Sequence, residues 1–280
     1  MRRNFAQILK SGKVDYKKEN KKLYELLFIT KVKSVRGISC TIHEIFAQSF
    51  IGFYFRGTCL SLKEFDEEHG FMFPNPEFEN PEMDDLIRLM EYFYNMLCGY
   101  SAAGDSLYGT GIGAEFLTLH ILKVCEAIGY TQASEDGFTV FVEKNAVVSA
   151  VAESELIPLE LSYKLITYDH HSMRGDLEGK KTIILRLAAL LEAKKSILHQ
   201  VNPNLENDLF YIFNNFNLRH NNCDSSAKGK YKPCIANMKK DDLEKWYDEA
   251  YQMCLLAFME IEQAARKPKF DAIKTEIEKK

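Results

Sequence analysis

Hydrophobic positions spaced by three or four residues recur along most of the chain, which is the pattern of helices that bury one face. In segment 83–98 the apolar positions at this spacing are Leu86, Leu89, Met90, Phe93, Met96 and Leu97. The clearest strand pattern is at 138–142, directly after Asp136-Gly137. The chain is therefore predicted to be mainly α, with a helical bundle at the C-terminus and a mostly helical N-terminal region containing a small β hairpin.

Two apolar stripes open the C-terminal third of the chain. The first stripe is Ile183, Ile184, Leu187, Leu190, Leu191, Ile197 and Leu198. The second stripe is Leu205, Leu209, Ile212, Phe213 and Phe216. Asn202 is the predicted N-cap of this second helix, because Pro203 follows it in the first turn.

A third stripe includes Trp246 and Tyr247. Its helix is predicted to begin near Asp241, with Glu244 completing a capping box. Three such stripes need one another for burial, which predicts a bundle.

The predicted domains are an N-terminal region over 1–172, the bundle over 173–266 and a charged tail over 267–280. Two helices are predicted within 145–169. Segment 64–85 is acidic and contains three prolines, which predicts an exposed loop.

Charge is divided unevenly along the 280 residues, whose net charge is -4. Residues 173–280 hold 19 Lys and Arg against 16 Asp and Glu, whereas residues 1–172 hold 17 against 24. This balance excludes a positive net charge over the whole chain, which would attract nucleic acid. An anionic partner would nevertheless prefer the C-terminal part. No apolar run of about 18 residues is present, which predicts that no segment spans a membrane.

Seven scattered cysteines without a CxxC motif favour reduced thiols and therefore a cytoplasmic protein. Cys223 and Cys234 flank a Lys-rich loop and could approach each other, but two unrelated thiols are the favoured interpretation. No metal and no cofactor is predicted.

The densest group of potentially reactive side chains is Asn217-Leu218-Arg219-His220-Asn221-Asn222, between two helical segments. RNA cleavage needs a base, an acid and a cation at the phosphate, and a His beside an Arg can supply these roles. The basic residues that follow and could bind RNA phosphates are Lys228, Lys230 and Lys232. The alternative is that Arg219 and the amides satisfy carbonyls at the helix end and brace the next loop.

A helical bundle with a polar Arg-Asn-type motif at a helix junction, followed by a long helix with Trp and Tyr, resembles the HEPN superfamily over about residues 176–265. In that family an Arg and a polar residue are followed, four to six residues later, by a His. Arg219 matches the Arg, and His220 or Asn221 matches the polar residue. At the position of the later His, this chain has Cys223, Asp224 and Ser225.

The resemblance implies a bacterial defence or abortive-infection-type protein that acts on RNA as a homodimer and as a metal-independent endoribonuclease. Arg219 would bind the scissile phosphate and His220 would act as general acid or base. Asn221 and Asn222 would orient groups by hydrogen bonds. A non-enzymatic interaction or dimerisation scaffold with a degenerate HEPN-like motif is the alternative, and the N-terminal region could bind a protein partner.

Three further places offer weaker chemistry. The secondary site candidates are Asp169, His170, His171 and Arg174, which could instead hydrogen-bond helix ends. The Gly-rich segment 104–113 could hold a small ligand near Tyr108, but no strand precedes it as a nucleotide loop requires. Arg36 and His43 also have HEPN-like spacing, which chance alone explains.

Overall fold

Helices form most of the computed structural model, which describes residues 14–33, 37–104, 113–227 and 229–279. The β structure of these residues consists of two antiparallel two-stranded hairpins, so the mainly α prediction is confirmed. The chain divides into two compact units, Met1–Lys144 and Asn145–Lys280. The sequence analysis instead placed its boundary after residue 172. The two differ because Val148 and Leu165 share a core with the C-terminal helices.

The N-terminal unit is built around one long helix. Its elements are α1 (Tyr16–Tyr24), a π-helical turn (Glu25–Ile29), β1 (Val32–Lys33), β2 (Ser39–Cys40), α2 (Ile42–Ser49), a 3-10 turn (Phe50–Gly52), α3 (Leu62–His69), α4 (Met83–Ala102), α5 (Ala114–Ala127), β3 (Tyr130–Glu135) and β4 (Phe138–Glu143). The apolar positions predicted in 83–98 are all buried on α4. The predicted strand is β4, and its partner β3 pairs Tyr130 with Glu143 and Glu135 with Phe138.

The predicted loop over 64–85 is partly wrong, because α3 occupies its beginning. Ser61 caps this helix, since its hydroxyl accepts a hydrogen bond from the Glu64 N–H at 3.2 Å. Gly70 ends it with a φ of 69°, a left-handed conformation that glycine adopts without steric cost. Helix α3 therefore has both a start and a stop signal, which the nearby prolines and acidic residues obscured.

The C-terminal unit is a helical bundle with a single apolar core. Its elements are α6 (Ala146–Ala152), α7 (Leu159–Ile166), a 3-10 turn (His171–Met173), α8 (Leu177–Glu192), α9 (Lys195–Val201), α10 (Pro203–Asn215), α11 (Pro233–Ala236) and α12 (Lys240–Glu278). The two helices predicted in 145–169 are α6 and α7. Asn202 caps α10 as predicted, because its side-chain oxygen accepts a hydrogen bond from the Leu205 N–H at 3.1 Å.

Two details of the predicted bundle are wrong. The first stripe is split between α8 and α9, and Ile197 on α9 is 38% exposed. Glu244 forms no capping box, because α12 begins at Lys240 without a side-chain cap. Trp246 is 41% exposed and contacts Phe216, with 4.9 Å between the ring centroids. The other residues of the third stripe, including Tyr247, are buried. The charged tail extends α12 as a helix.

Candidate functional site

The turn that follows α10, residues 217–222, is closed by Asn222. The side-chain oxygen of Asn222 accepts a hydrogen bond from the Asn217 N–H at 2.8 Å. Its amide nitrogen donates to the carbonyls of Asn214 at 3.3 Å and Lys230 at 2.7 Å. Asn217 has a φ of 58°, which Asn tolerates better than most residues. Asn222 is fully buried, so its side chain joins the helix end to the returning loop.

Arg219 faces helix α8. Its guanidinium lies 2.6 Å from a carboxylate oxygen of Glu192, and it donates to the Ala188 carbonyl at 3.4 Å. The same guanidinium lies over the rings of Phe210 and Phe213, at 5.3 Å and 5.2 Å from their centroids. A carboxylate, a carbonyl and two aromatic faces therefore occupy the group that was expected to bind a phosphate.

His220 has a different neighbour. Its Nε2 atom lies 3.3 Å from Nζ of Lys230, in the loop that follows the turn. Arg219 and His220 are thus adjacent in sequence but contact different elements. Asn221 is exposed, whereas Asn222 is buried. The structure brings His220 and Lys230 together and does not join the four predicted catalytic side chains around one point.

The predicted RNA-binding lysines also differ in their surroundings. Lys228 lies outside the described residues. Lys230 is exposed, while the Lys232 N–H donates to the Asn222 carbonyl at 2.8 Å. The Lys232 carbonyl accepts from the Ile235 N–H at the start of α11. The backbone of Lys232 is therefore structural, and Lys230 has the clearest access to solvent.

The secondary candidates form the junction between α7 and α8. His170 is buried and caps the 3-10 turn, because its Nδ1 atom accepts a hydrogen bond from the Ser172 N–H at 3.3 Å. The His171 ring lies 4.1 Å from that of His170. Asp169 and Arg174 are exposed. The backbone geometry fits the interpretation that this segment hydrogen-bonds the helix ends.

An ion-pair network around the buried Lys180, which the sequence analysis missed, lies beside this junction. Nζ of Lys180 is 2.7 Å from carboxylate oxygens of both Glu244 and Asp248. The Tyr168 hydroxyl donates to Asp248 at 3.1 Å, and the Gly175 N–H donates to Glu244 at 2.8 Å. This network joins α8 to α12 and fixes the junction between them.

Ionisation in this network is shifted by burial and by the partners. Burial opposes the charge on Lys180, but hydrogen bonds to Asp248 and Glu244 outweigh it, so the pKa of Lys180 is raised. Burial likewise disfavours the Glu244 carboxylate, but hydrogen bonds from Lys180 and the Gly175 N–H lower its pKa. Both shifts favour the charged pair. A Lys near the start of α8, on the same face as Ile183 and Ile184, is the sequence signal that could have revealed it.

The N-terminal unit contains an aromatic cavity of about 420 Å³. Its wall includes Phe55, Phe65, His69, Phe71, Tyr92 and Phe138. Asn95 is the main amide in the wall, and it is fully engaged by the backbone of Thr139, donating at 2.8 Å and accepting at 3.0 Å. The Tyr92 hydroxyl donates to Asp66 at 3.0 Å. The cavity therefore presents mainly aromatic faces, and His69 and Glu91 are the ionisable side chains beside them.

Several sequence candidates cannot be placed. The Gly-rich segment lies largely outside the described residues, which omit 105–112, and so does Arg36. Cys223 and Cys234 are both exposed free thiols.

Among the described residues, no helix has both the length and the apolar content that a membrane span requires.

Comparison of the chain with protein-family models, curated proteins and solved structures finds no match.

Proposed function

We propose that the C-terminal unit is a non-enzymatic interaction scaffold that pairs with a second copy of this chain through the end of α12. One observation carries the proposal, an exposed apolar stripe on that helix. Phe270, Ile273 and Ile277 are 56%, 54% and 70% exposed. Ile261 is the last buried residue in the described part of α12, so the helix continues well beyond the core of its own unit.

The spacing of the stripe fits helix–helix pairing. Phe270, Ile273 and Ile277 are separated by three and four residues, which places them on one face as in the seam of a coiled coil. Leu256 and Met259, two heptads before Phe270 and Ile273, are also partly exposed, at 47% and 39%. A helix partner could therefore cover two apolar segments of the same helix face, which are separated by Gln263 and Arg266.

Charge favours a second copy in antiparallel orientation. Lys267 and Lys269 flank the beginning of the stripe, whereas its end mixes Glu276 and Glu278 with Lys274 and Lys279. Two antiparallel copies would bring the basic beginning of each stripe close to Glu276 and Glu278 of the other copy. A parallel pair would instead bring the two basic beginnings together.

The turn at 217–222 supports the scaffold interpretation. The Arg219 guanidinium is held by Glu192 and the Ala188 carbonyl, and Asn222 is used to close the turn. These contacts are the ones expected when the motif braces the helix end. They join α10 to α8 and help to hold the bundle from which α12 extends.

The test is the oligomeric state of the full chain, measured by light scattering during size-exclusion chromatography. We expect the wild type to be a dimer and Ile273→Glu to be a monomer at the same concentration. The matched control is Thr275→Glu, which adds the same charge on the opposite side of α12 and should remain a dimer. A monomeric wild type, or equal masses for both variants, would contradict the proposal.

A metal-independent endoribonuclease of the bacterial defence or abortive-infection type is the second candidate. The observation that favours it is the approach of His220 to Lys230, which gives an imidazole and an ammonium group from which one phosphate could accept hydrogen bonds. Incubation of tRNA or total RNA in EDTA tests this function. Cleavage by the wild type that His220→Ala abolishes would support it, whereas RNA left intact by both would reject it.

The His220 variant is preferable to Arg219→Ala in that assay. Arg219 pairs with Glu192 and stacks on Phe213, so its removal would also disturb the bundle. His220 is only partly buried and contacts the exposed Lys230. Loss of cleavage in His220→Ala would therefore report chemistry rather than unfolding.

A further inference from the structure

Three residues with different metal-binding groups converge at the C-terminal end of α3. Cys59 lies in the turn before this helix, and Glu68 and His69 are its last two residues. One ligand atom from each side chain lies within 4.8 Å of the ligand atoms of the other two. We propose that Cys59, Glu68 and His69 bind a zinc ion.

The distances suit zinc. Sγ of Cys59 lies 3.3 Å from Oε2 of Glu68. Zinc–sulfur and zinc–oxygen bonds of about 2.3 Å and 2.1 Å at a tetrahedral angle separate the two ligand atoms by about 3.6 Å. These two atoms are therefore nearly in place. The His69 ligand atom lies within 4.8 Å of the other two, and the side chain is exposed, so its ring can close the distance that tetrahedral binding requires.

The set of ligands also suits zinc better than the hard cations. Calcium and magnesium select oxygen ligands, whereas zinc accepts thiolate, imidazole and carboxylate together. The cysteine is buried, and the carboxylate and imidazole are at the surface. An ion could enter from the side of Glu68 and His69 and reach the thiolate without opening the core.

The backbone around Cys59 is held by its neighbours. Nη1 of Arg56 donates to the Cys59 carbonyl at 3.0 Å, and Cys59 N–H donates to the Arg56 carbonyl at 3.1 Å. On the helix, the His69 ring packs against Phe65 at 4.5 Å between centroids. The turn and the helix end are thus preorganised, which lowers the cost of assembling a metal site.

The position of His69 connects the proposed ion to the aromatic cavity. His69 belongs to the cavity wall, while Cys59 and Glu68 lie beside it. Three protein ligands leave a fourth tetrahedral position for water or for a small ligand, as in zinc sites that are not purely structural. The zinc ion would therefore lie at the edge of a cavity whose faces are aromatic.

Cobalt is the spectroscopic probe for this site. The full chain is stripped with a chelator, dialysed and titrated with Co²⁺, and the thiolate-to-cobalt charge-transfer band is followed in the near ultraviolet. We expect the band in the wild type, its displacement by added Zn²⁺, and its absence in Cys59→Ser. Glu68→Gln and His69→Gln should each weaken zinc binding at least about 100-fold, since even outer-shell partners contribute 10–100-fold.

The double variant Cys223→Ser/Cys234→Ser is the matched control, because these two exposed thiols could bind cobalt by themselves. We expect it to keep the band. Glu68 and His69 are exposed, so their substitution should leave the circular dichroism spectrum unchanged. The proposal fails if the wild type shows no band, if the band survives in Cys59→Ser, or if both exposed-site variants bind zinc as tightly as the wild type.

Discussion

Substitution of Asn222 tests most directly whether the turn at 217–222 is a structural brace. The fully buried amide of Asn222 accepts from the Asn217 N–H and donates to the carbonyls of Asn214 and Lys230. Alanine would remove all three hydrogen bonds and leave their backbone partners without this side chain. The carbonyl of Lys230 is the most affected, because its bond to Asn222 is only 2.7 Å long.

The expected loss of stability follows from these three bonds. An intramolecular hydrogen bond contributes about 1 kcal/mol net, and leaving a buried partner unsatisfied raises that figure. Asn222→Ala should therefore lower the free energy of unfolding of the C-terminal unit by about 3 kcal/mol. Asn221→Ala is the matched control, because Asn221 is exposed. Its effect should stay within about 0.5 kcal/mol.

Fluorescence of Trp246 is a suitable readout for urea unfolding of the full chain. Trp246 is the only tryptophan in the sequence, and it lies in the C-terminal unit against Phe216. Its signal therefore follows the unit that contains the turn. Asn222→Ala should unfold at a clearly lower urea concentration than the wild type, with Asn221→Ala close to the wild type. Equal unfolding midpoints for the two variants would refute the role assigned to Asn222.

Two further substitutions probe the cores. Lys180→Met should cost about 2 kcal/mol by urea unfolding at pH 7, less than for a fully buried pair because Asp248 is 44% exposed. The folded-state pKa of Glu244 is lowered, so its stabilisation is present above about pH 4.3, the unfolded value, and is lost as the pH falls through the folded pKa. Acidification should therefore destabilise the wild type more than Lys180→Met, and a parallel decline would contradict this. Gly99→Ala should lower the free energy of unfolding by about 1–3 kcal/mol, because a Cβ would approach the Phe55 ring to 2.6 Å. Thermal unfolding measures this loss, and an unchanged melting temperature would show that Phe55 moves freely.

Local features of the fold were predictable from the sequence. The burial of α4 follows from its apolar spacing, and the start of α10 follows from Asn202 and Pro203. Both depend on residues within a few positions of one another. Asp136-Gly137 likewise marked the turn of the β3–β4 hairpin, where both residues have positive φ.

The candidate site was less predictable because its contacts are distant in sequence. Arg219 stood out as a free cation, yet Glu192 and Ala188 on α8 engage it. Glu244 matched a local capping box, but its charge is used by Lys180 across the bundle. In both cases neighbouring residues suggested one role, but the contact with another helix determines the role that the side chain has.

The sequence by itself determined that this chain is mainly helical and which faces of most helices are apolar, because periodicity and capping act over one or two turns. The tertiary structure alone decided that Asn222 is buried while Asn221 is exposed, although the two are adjacent and identical. It also decided that Cys59 approaches Glu68 and His69. Such choices depend on which groups packing brings within about 3–5 Å, where hydrogen bonds, ion pairs and metal ligation become effective.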